Sequence, residues 1–226
     1  MIKQFGPLNE ELVRLYTRQI LLGLAYLHDR SIVHRDVKGA NVLVSEQGVC
    51  KLADFGCSKQ LHGLRTGSLE ASLNALQGSV PWMAPEVIKQ SGHGRSADIW
   101  SVGATIVEMA TASHPWPQFT NHLAALFGIA TTTEPPPTPD SLSETAAKFL
   151  AECFYVDPER RGTAAALLAH AFVEERDLDE SLGASLLSEA SFEFTVESKG
   201  SRESRGSDAT AGGKAEGVAR RAEGVR

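Results

Sequence analysis

Two short segments of the sequence carry side chains whose types and spacing suit metal-dependent chemistry. The first is HRDVKGAN (residues 34–41), which supplies Asp36, Lys38 and Asn41, and the second is DFG, which begins at Asp54. Carboxylate and amide oxygens are hard donors of the kind that Mg²⁺ prefers. Lys38 adds a positive charge two residues after Asp36. These residues are therefore candidate participants in a magnesium-dependent reaction.

Each segment also has an ordinary structural interpretation when it is considered alone. Asp36 could be a turn aspartate, DFG a plain β-turn and His34 a core histidine. The order of the segments favours function instead. HRDVKGAN is followed by two β-type runs joined by the turn signal SEQG, then by DFG, and later by APE at residues 84–86.

In this order and spacing the three segments resemble the C-terminal lobe of a eukaryotic protein kinase. The resemblance covers roughly residues 5–173. It implies an α+β protein-kinase fold, of which we expect only the mainly α-helical C-lobe with a small catalytic-loop β-hairpin. The N-lobe is expected to be missing, because the sequence has no counterpart of its glycine-rich loop, strand lysine or helix glutamate.

The resemblance implies catalytic roles for two residues and cofactor-binding roles for three. Asp36 would accept or orient the proton of the substrate hydroxyl, and Lys38 would steady the transferred phosphate. Asn41 and Asp54 would bind Mg²⁺, and Leu43 would contact the ATP. A lysine at position 38 is typical of serine/threonine kinases rather than tyrosine kinases.

Other residues of the resemblance have structural roles. Asp98 would accept backbone hydrogen bonds from the catalytic loop, because a carboxylate in so apolar a helix needs such partners. Glu86 would pair with Arg161. His34 and Phe55 are the expected packing residues of the internal spine of the kinase. Gly56 is the glycine expected to let the chain turn beside the metal.

The stretch from residue 57 to residue 80 has no clear periodicity and is expected to be a long loop. The resemblance implies that it is the activation loop. Arg35 would pair with a phosphate on this loop, whose charge of about −1.5 to −2 would order it. Ser72 is the expected switch, and Ser79 is expected to hold Asp36. The hydroxyls within reach are Thr66, Ser68, Ser72 and Ser79.

Sequence around these motifs is most similar to mitogen-activated protein kinase kinase kinases, with the Ste20-like kinases as the neighbouring alternative. The segments that carry this similarity are HRDVKGAN, GSVPWMAPE and SADIWSVGATIVEMAT. The resemblance implies ATP and Mg²⁺ as cofactors and a protein substrate, for which a MAP kinase kinase is a candidate. The cytoplasm is the expected location, with the nucleus as the second candidate, because the pattern of the chain's three cysteines favours a reducing compartment.

Composition excludes several other classes of protein. The 226 residues are 42% hydrophobic and 22% charged, which is typical of a globular protein. A net charge of −6 argues against a general nucleic-acid binder. No apolar run is long enough for a membrane span. The first residues, MIKQFGPLNEE, have no apolar stretch long enough for a signal peptide. Three scattered cysteines show no disulfide framework and no zinc pattern, which favours a reducing compartment.

Two regions are expected from the change in composition along the chain. Residues 1–175 alternate apolar periodicity with glycine and proline and would form the kinase lobe. Residues 176–226 are of low complexity and are expected to be a disordered tail, because they cannot bury enough apolar surface to offset the ordering entropy.

Local signals predict the elements that position the motifs. Asn9 is expected to cap a helix that ends near His28. A capping box of Ser141 and Glu144 would start a helix that ends near Tyr155. The other expected elements are strands at 31–33, 42–44 and 49–52, a buried helix at 96–112, a loop at 131–139 and a last helix at 163–171.

Two main functional hypotheses remain open at this point. The first is a serine/threonine kinase whose sequence lacks its upstream half, and the second is a non-catalytic module that docks substrates or regulates a full kinase. A small-molecule phosphotransferase is disfavoured by the APE segment and its arginine partner. The first is favoured, because a module freed from catalysis has no chemical need for Asp36, Lys38, Asn41 and Asp54 together.

Overall fold

The computed structural model of the chain describes residues 6–54, 79–92 and 94–174, together with the backbone of 59–60. All of them belong to one of two compact units, Met1–Glu189. The expected boundary between residues 175 and 176 lies outside the described residues. No helix in the described part of the chain is both long and apolar enough to cross a membrane.

Helix α1, Glu10–Asp29, confirms the first predicted helix. The side chain of Asn9 caps it by accepting a hydrogen bond from the Leu12 N–H at 3.0 Å. Two glutamates in the first turn stabilise the helix, because their negative charges lie near the positive end of its dipole. One face of α1 is buried against the core, and its C-terminal end leads directly into the segment that precedes Asp36.

The centre of the core is a helix near the middle of the chain, α3 (Arg95–Thr111), and most of its 17 residues are buried. Trp100 packs edge-to-face against Phe154 with ring centroids 5.0 Å apart. At Gly103 a Cβ atom would lie 2.8 Å from the Phe154 ring, so only glycine allows this approach. The predicted buried helix is therefore confirmed within one residue at each end.

Further helices surround α3. The α-helices are α2 (Pro85–Ile88), α4 (His122–Thr131), α5 (Glu144–Cys153) and α6 (Ala164–Leu167). Single 3₁₀ turns form at Gly39–Asn41, Val80–Trp82 and Pro158–Arg160. Helix α4 was not predicted from the sequence, although Asn121 caps it by accepting from the Ala124 N–H at 2.9 Å.

The predicted capping box at the start of α5 is wrong by two residues. Ser143, not Ser141, is the N-cap, and its hydroxyl accepts from the Ala146 N–H at 3.2 Å. The glutamate that completes the cap comes from α1 instead of α5. Glu10 accepts from the Ser143 N–H at 2.5 Å and from its hydroxyl at 2.7 Å. A contact between distant parts of the chain thus replaces the local one.

The last helix, α6, is shorter than the predicted 163–171. Thr163 caps it, and after Leu167 the chain tightens into turns. The N–H groups of Ala169 and His170 donate to carbonyls three residues earlier. This pattern ends the regular helix.

In the part of the chain that the structure describes, four short strands form two antiparallel pairs. Strands β2 (Val42–Val44) and β3 (Cys50–Leu52) make the predicted hairpin, with Val42 opposite Leu52. Strand β1 (Ile32–Val33) pairs with β4 (Lys59–Gln60), a partner that was not predicted. The hairpin lies between the segments that carry Asn41 and Asp54 and holds them side by side.

Candidate active site

Asp98 is the buried anchor of the catalytic loop. Its side chain is fully buried near the start of α3, where it accepts three hydrogen bonds in place of water. The backbone N–H groups of His34 and Arg35 donate to it at 2.9 and 2.8 Å. The His28 ring is the third partner, at 2.8 Å. Asp98 therefore lies beside residues 34–36, as predicted, and its charge is compensated.

Backbone strain is found at two positions of this region. Arg35 has φ of 74° and Asp54 has φ of 61°, both in the left-handed region. For residues other than glycine this conformation costs about 1–2 kcal/mol. Such strain persists only where surrounding contacts impose it, and it often accompanies a functional site. The hydrogen bond from Arg35 to Asp98 is one of these contacts.

His34 is a neutral packing residue. Its side chain is fully buried, and its Nδ1 accepts a hydrogen bond from the Asp36 N–H at 3.3 Å. Burial lowers the pKa of His34 below its usual 6.5, although the charges of Asp98, Asp36 and Asp54 oppose this shift. The ring therefore supports the backbone of the loop and does not exchange protons near neutral pH.

Asp36, Lys38 and Ser79 form one contact network. The Lys38 ammonium donates to both carboxylate oxygens of Asp36, at 3.0 and 2.8 Å, and to the Ser79 hydroxyl at 2.6 Å. The side chains of Asp36 and Lys38 keep only 12% and 18% of their surface exposed. The structure thus joins the catalytic loop to a residue that lies 41 positions further along the chain.

The carboxyl of Asp36 is ionised near neutral pH. Burial alone would raise its pKa. The hydrogen bonds from Lys38, Ser79 and Asn41 and the charge of Lys38 outweigh burial, so the pKa of Asp36 falls below its usual 3.8. An ionised carboxylate can accept a hydrogen bond from a hydroxyl that approaches it.

Asn41 connects this network to the segment that ends at Asp54. Its side-chain amide donates to the backbone carbonyl and to the carboxylate of Asp36, both at 2.7 Å. The amide nitrogen makes both bonds, which leaves the amide oxygen as an acceptor. The Ala53 N–H donates to the Asn41 carbonyl at 2.8 Å, so the residue just before Asp54 is fixed to the loop.

Asn41 and Asp54 each offer a side-chain oxygen of the type that binds magnesium together with a phosphate. Among the described residues no group of three or more histidine, cysteine, aspartate or glutamate side chains could hold a metal. Mg²⁺ is commonly bound by one or two protein oxygens together with water and substrate phosphates. Asp54 is exposed at the end of the hairpin, where a charged ligand can reach it.

The expected nucleotide contact, Leu43, lies on the exposed side of the hairpin. Its side chain is 60% exposed. Leu8 and Val42 are partly buried and line a cavity of about 70 Å³ beneath the hairpin. Phe5 and Phe55 lie outside the described residues.

Glu86 and Arg161 form a buried bidentate ion pair, at 2.5 and 2.8 Å. Arg161 also donates to the backbone carbonyls of Tyr155 at 2.6 Å and of Ser96 at 3.0 Å. This pair fixes the APE segment to the start of α3 and to the turn at Pro158–Arg160.

Sequence reasoning missed one residue at the site, Glu108 on α3. Its carboxylate accepts from the Gly39 N–H and from the Trp82 indole N–H, both at 2.8 Å. The signal was available, because a carboxylate within an otherwise buried apolar helix needs partners. The same reasoning identified Asp98 and was not extended to Glu108.

Several predicted site residues cannot be placed. They lie outside the described residues and comprise Phe55, Gly56, Thr66, Ser68 and Ser72. Pairing of Arg35 with a phosphorylated residue therefore stays a prediction. Of the four predicted hydroxyls only Ser79 is described, and it lies in the Asp36 network.

Comparison with known proteins agrees with this geometry. The family model described as "Protein kinase domain" matches residues 1–173. The chain is 52% identical over 173 residues to the mitogen-activated protein kinase kinase kinase ANP1 of Arabidopsis thaliana, which covers 76% of this chain and 26% of that protein. It is 47% identical over 177 residues to mitogen-activated protein kinase kinase kinase A of Dictyostelium discoideum, over 78% of this chain and 18% of that protein.

A human protein is also similar. The chain is 46% identical over 177 residues to mitogen-activated protein kinase kinase kinase 19, which covers 77% of this chain and 13% of that protein. The chain thus spans about a quarter or less of the length of the curated relatives it matches. The family model matches well over half of the chain, in a fold of mixed helices and strands, and the chain belongs to the protein kinase domain family.

Proposed function

We propose that the chain acts in a serine/threonine protein kinase that transfers the γ-phosphate of ATP to a protein hydroxyl in a MAP kinase cascade. The observation that carries this proposal is the network in which Lys38 joins the carboxylate of Asp36 to Ser79. In this network the ionised carboxylate of Asp36 and the hydroxyl of Ser79 both contact the positive charge of Lys38. The names of the relatives support the cascade.

Asp36 is suited to orient the attacking hydroxyl. Its lowered pKa makes it a weak base before reaction, so its main contribution is to accept the hydrogen bond that aims the hydroxyl oxygen. As the bond from the hydroxyl oxygen to the γ-phosphorus forms and the bond from that phosphorus to the ADP oxygen breaks, the hydroxyl becomes more acidic and its proton can pass to Asp36. The hydrogen bond from Asn41 keeps the carboxylate in this orientation.

Lys38 supplies positive charge at the same place. Its ammonium lies 2.8 Å from a carboxylate oxygen of Asp36, so a phosphoryl group moving toward a hydroxyl held by Asp36 comes close to this cation. Charge that is already in position stabilises a transition state without reorganisation. Lys38 carries out this role only if it exchanges part of its contact with Asp36 for the phosphate.

Asn41 and Asp54 would hold the magnesium ion, each through a side-chain oxygen. When bound, the ion neutralises charge on the phosphates of ATP. The chain's own contribution is to fix these two ligands relative to Asp36. The hairpin and the hydrogen bond from Ala53 to Asn41 fix that spacing.

We further propose that residues 1–175 supply the C-terminal lobe and that an N-terminal lobe completes the ATP site. Two observations support this. Residues 1–226 contain no counterpart of the glycine-rich loop and the strand lysine that contact the phosphates in full kinases. Leu43 exposes 60% of an apolar side chain where a partner surface or an adenine would cover it.

The substrate and the location are part of the same proposal. A protein serine or threonine is the acceptor, and a MAP kinase kinase is the substrate that the names of the relatives favour. The cytoplasm, or the nucleus, is the proposed compartment. Cys50 and Cys153 are free, as a reducing compartment requires.

Phosphate incorporation tests this proposal. The 226-residue chain and a fusion of it behind the N-terminal lobe of one of the relatives are incubated with labelled ATP, Mg²⁺ and a MAP kinase kinase. We expect transfer from the fusion and near-zero transfer from the chain alone. Equal transfer from both would contradict the need for a second lobe. A folded but inactive fusion would favour the docking-module hypothesis.

A further inference from the structure

Glu108 lies between the catalytic loop and the segment that follows Ser79. One carboxylate oxygen, Oε2, accepts the backbone N–H of Gly39 and the indole N–H of Trp82, each at 2.8 Å. Glu108 extends from α3, the most buried helix of the fold. A single side chain fixed to the core therefore contacts two segments that are far apart in sequence.

The contact with the catalytic loop is unusually close. A Cβ atom at Gly39 would lie 2.8 Å from Oε1 and 2.9 Å from Oε2 of Glu108, closer than real Cβ atoms come. A free glutamate could move aside at little cost. Here movement would break the hydrogen bonds to Gly39 and Trp82, so the site requires glycine at position 39 as long as Glu108 stays in place.

A second bridge joins the same two segments. Lys38, the residue before Gly39, donates to the Ser79 hydroxyl at 2.6 Å. Ser79 is the N-cap of the 3₁₀ turn that contains Trp82, and its carbonyl accepts the Trp82 N–H at 3.0 Å. The two segments are thus held together twice, once at Lys38 and once through Glu108.

We propose that Glu108 is a positioning residue, which holds the catalytic loop and the segment 79–82 at the separation that keeps Lys38 and Ser79 in contact beside Asp36. The proposal deepens the kinase function proposed above and rests on it. Glu108 does not touch the reacting groups. It acts through Gly39 and Trp82, and its removal lets the two segments separate.

A carboxylate suits this role better than a neutral acceptor. Hydrogen bonds to an ionised group are about twice as strong as those between neutral groups. A glutamine at position 108 retains one oxygen that can accept from Gly39 or Trp82, but it loses the charge. Glu108→Gln should therefore have a smaller effect than Glu108→Ala.

The first test uses the 226-residue chain alone and does not depend on activity. The chain has three tryptophans, so ¹⁵N-tryptophan labelling gives three indole signals, and the Trp82 signal is identified by its absence in Trp82→Phe. We expect Glu108→Ala to shift this signal and to speed amide exchange at Gly39 by about tenfold or more. The matched control is Glu144→Ala, a helical glutamate that is 83% exposed, which should change neither.

The second test measures turnover in the fusion with an N-terminal lobe. Glu108→Ala should lower kcat by about 10- to 100-fold and leave the KM for ATP within about twofold, while Glu108→Gln retains more of the activity. Trp82→Phe should lower kcat less than Glu108→Ala does. The double variant should have the same kcat as Glu108→Ala alone. Such non-additivity indicates that two residues act through one contact.

The two tests separate failure of this inference from failure of the kinase function. An unchanged kcat in Glu108→Ala, or full additivity with Trp82→Phe, would overturn the positioning role. If the unmutated fusion is inactive, the kinase proposal fails, and the exchange rate at Gly39 then decides whether Glu108 holds the loop. Should Glu108→Ala not fold, the amide exchange rate at Gly39 and kcat are measured instead in Glu108→Gln and Trp82→Phe.

Discussion

The guanidinium group of Arg161 binds both carboxylate oxygens of Glu86, although 75 positions separate them in the sequence. The Arg161 side chain has no exposed surface and that of Glu86 keeps only 11%. Two parallel bonds of this kind add geometric specificity to the charge attraction. The pair joins the APE segment, which carries Glu86, to the turn at Pro158–Arg160, which precedes Arg161.

Removal of Glu86 should destabilise the chain strongly. In Glu86→Ala the arginine charge stays buried without its partner, and breaking a buried pair costs about 3–5 kcal/mol. Urea unfolding of the 226-residue chain measures this loss. The control is Lys148→Ala, which breaks an exposed pair with Glu144 and should cost no more than about 0.5 kcal/mol. Equal losses of unfolding free energy in the two variants would show that the Glu86–Arg161 pair stabilises the fold no more than an exposed pair does.

Asp98→Asn should loosen the catalytic loop. The amide keeps one acceptor oxygen and presents an N–H₂ group to the backbone donors of His34 and Arg35. An unsatisfied buried donor costs about 1–3 kcal/mol, so we expect a loss of roughly that size or more. Amide exchange at residues 34 and 35 measures the loosening, and exposed Asp140→Asn is the control. Unchanged exchange at these amides would be evidence against the anchoring role of Asp98.

Much of the site could be predicted because its signals are local. HRDVKGAN and DFG each lie within a few residues, and the hairpin between them follows from two β-type runs and a turn. Asp98 could be predicted because SADIWSVG resembles the central helix of a kinase lobe, in which a carboxylate needs partners. These features depend on short segments whose chemistry is visible in the sequence.

The features that were missed depend on contacts between distant segments. Ser143 is the N-cap of α5 because Glu10, 133 positions earlier, completes the cap. Strand β4 was missed because its partner β1 is only two residues long. Glu108 meets Gly39 only after α3 packs beneath the catalytic loop. The sequence shows that Glu108, a carboxylate in an apolar helix, needs a partner, but no local pattern identifies the partner in any of these cases.

His34 should make the chain less stable in mild acid. Because burial lowers its pKa below 6.5, the neutral ring stabilises the fold fully above pH 6.5, and this contribution declines as the pH falls toward the lowered value. We expect the urea midpoint to decrease from pH 6.5 to 4.5. The decrease should be smaller in His34→Asn, and exposed His122→Gln should behave like the unmutated chain. If the urea midpoint of His34→Asn changes with pH in the same way as that of the unmutated chain, His34 is not the group that causes the loss of stability.

Cys50 should react slowly in the folded chain although it is only partly buried. Burial raises the pKa of its thiol from 9.0 to about 12 and also raises the pKa of Cys153. At pH 8 the thiolate fraction of Cys50 falls on the order of 10³-fold. In a Cys57→Ser background, a thiol reagent should modify the native chain about that much more slowly than the urea-unfolded chain. Rapid modification of native Cys50 would contradict its burial.

Asp54→Asn should weaken the binding of magnesium and ATP in the fusion with an N-terminal lobe. The change removes the charge of one of the two proposed ligands and leaves Asn41 in place. Titration of Mg²⁺ at fixed ATP should show a higher concentration for half-maximal activity. The same magnesium requirement in Asp54→Asn and in the unmutated fusion would exclude Asp54 as a ligand.

Turnover by Asp36→Asn in the fusion tests the central claim most directly. If Asp36 orients the substrate hydroxyl and takes its proton, phosphate transfer should fall by roughly 10²- to 10⁴-fold. Binding of ATP with Mg²⁺ should stay within about twofold, because Asn41 and Asp54 are unchanged. Near-normal transfer by Asp36→Asn, at equal ATP affinity and stability, would contradict the assignment of this network as the site of phosphoryl transfer.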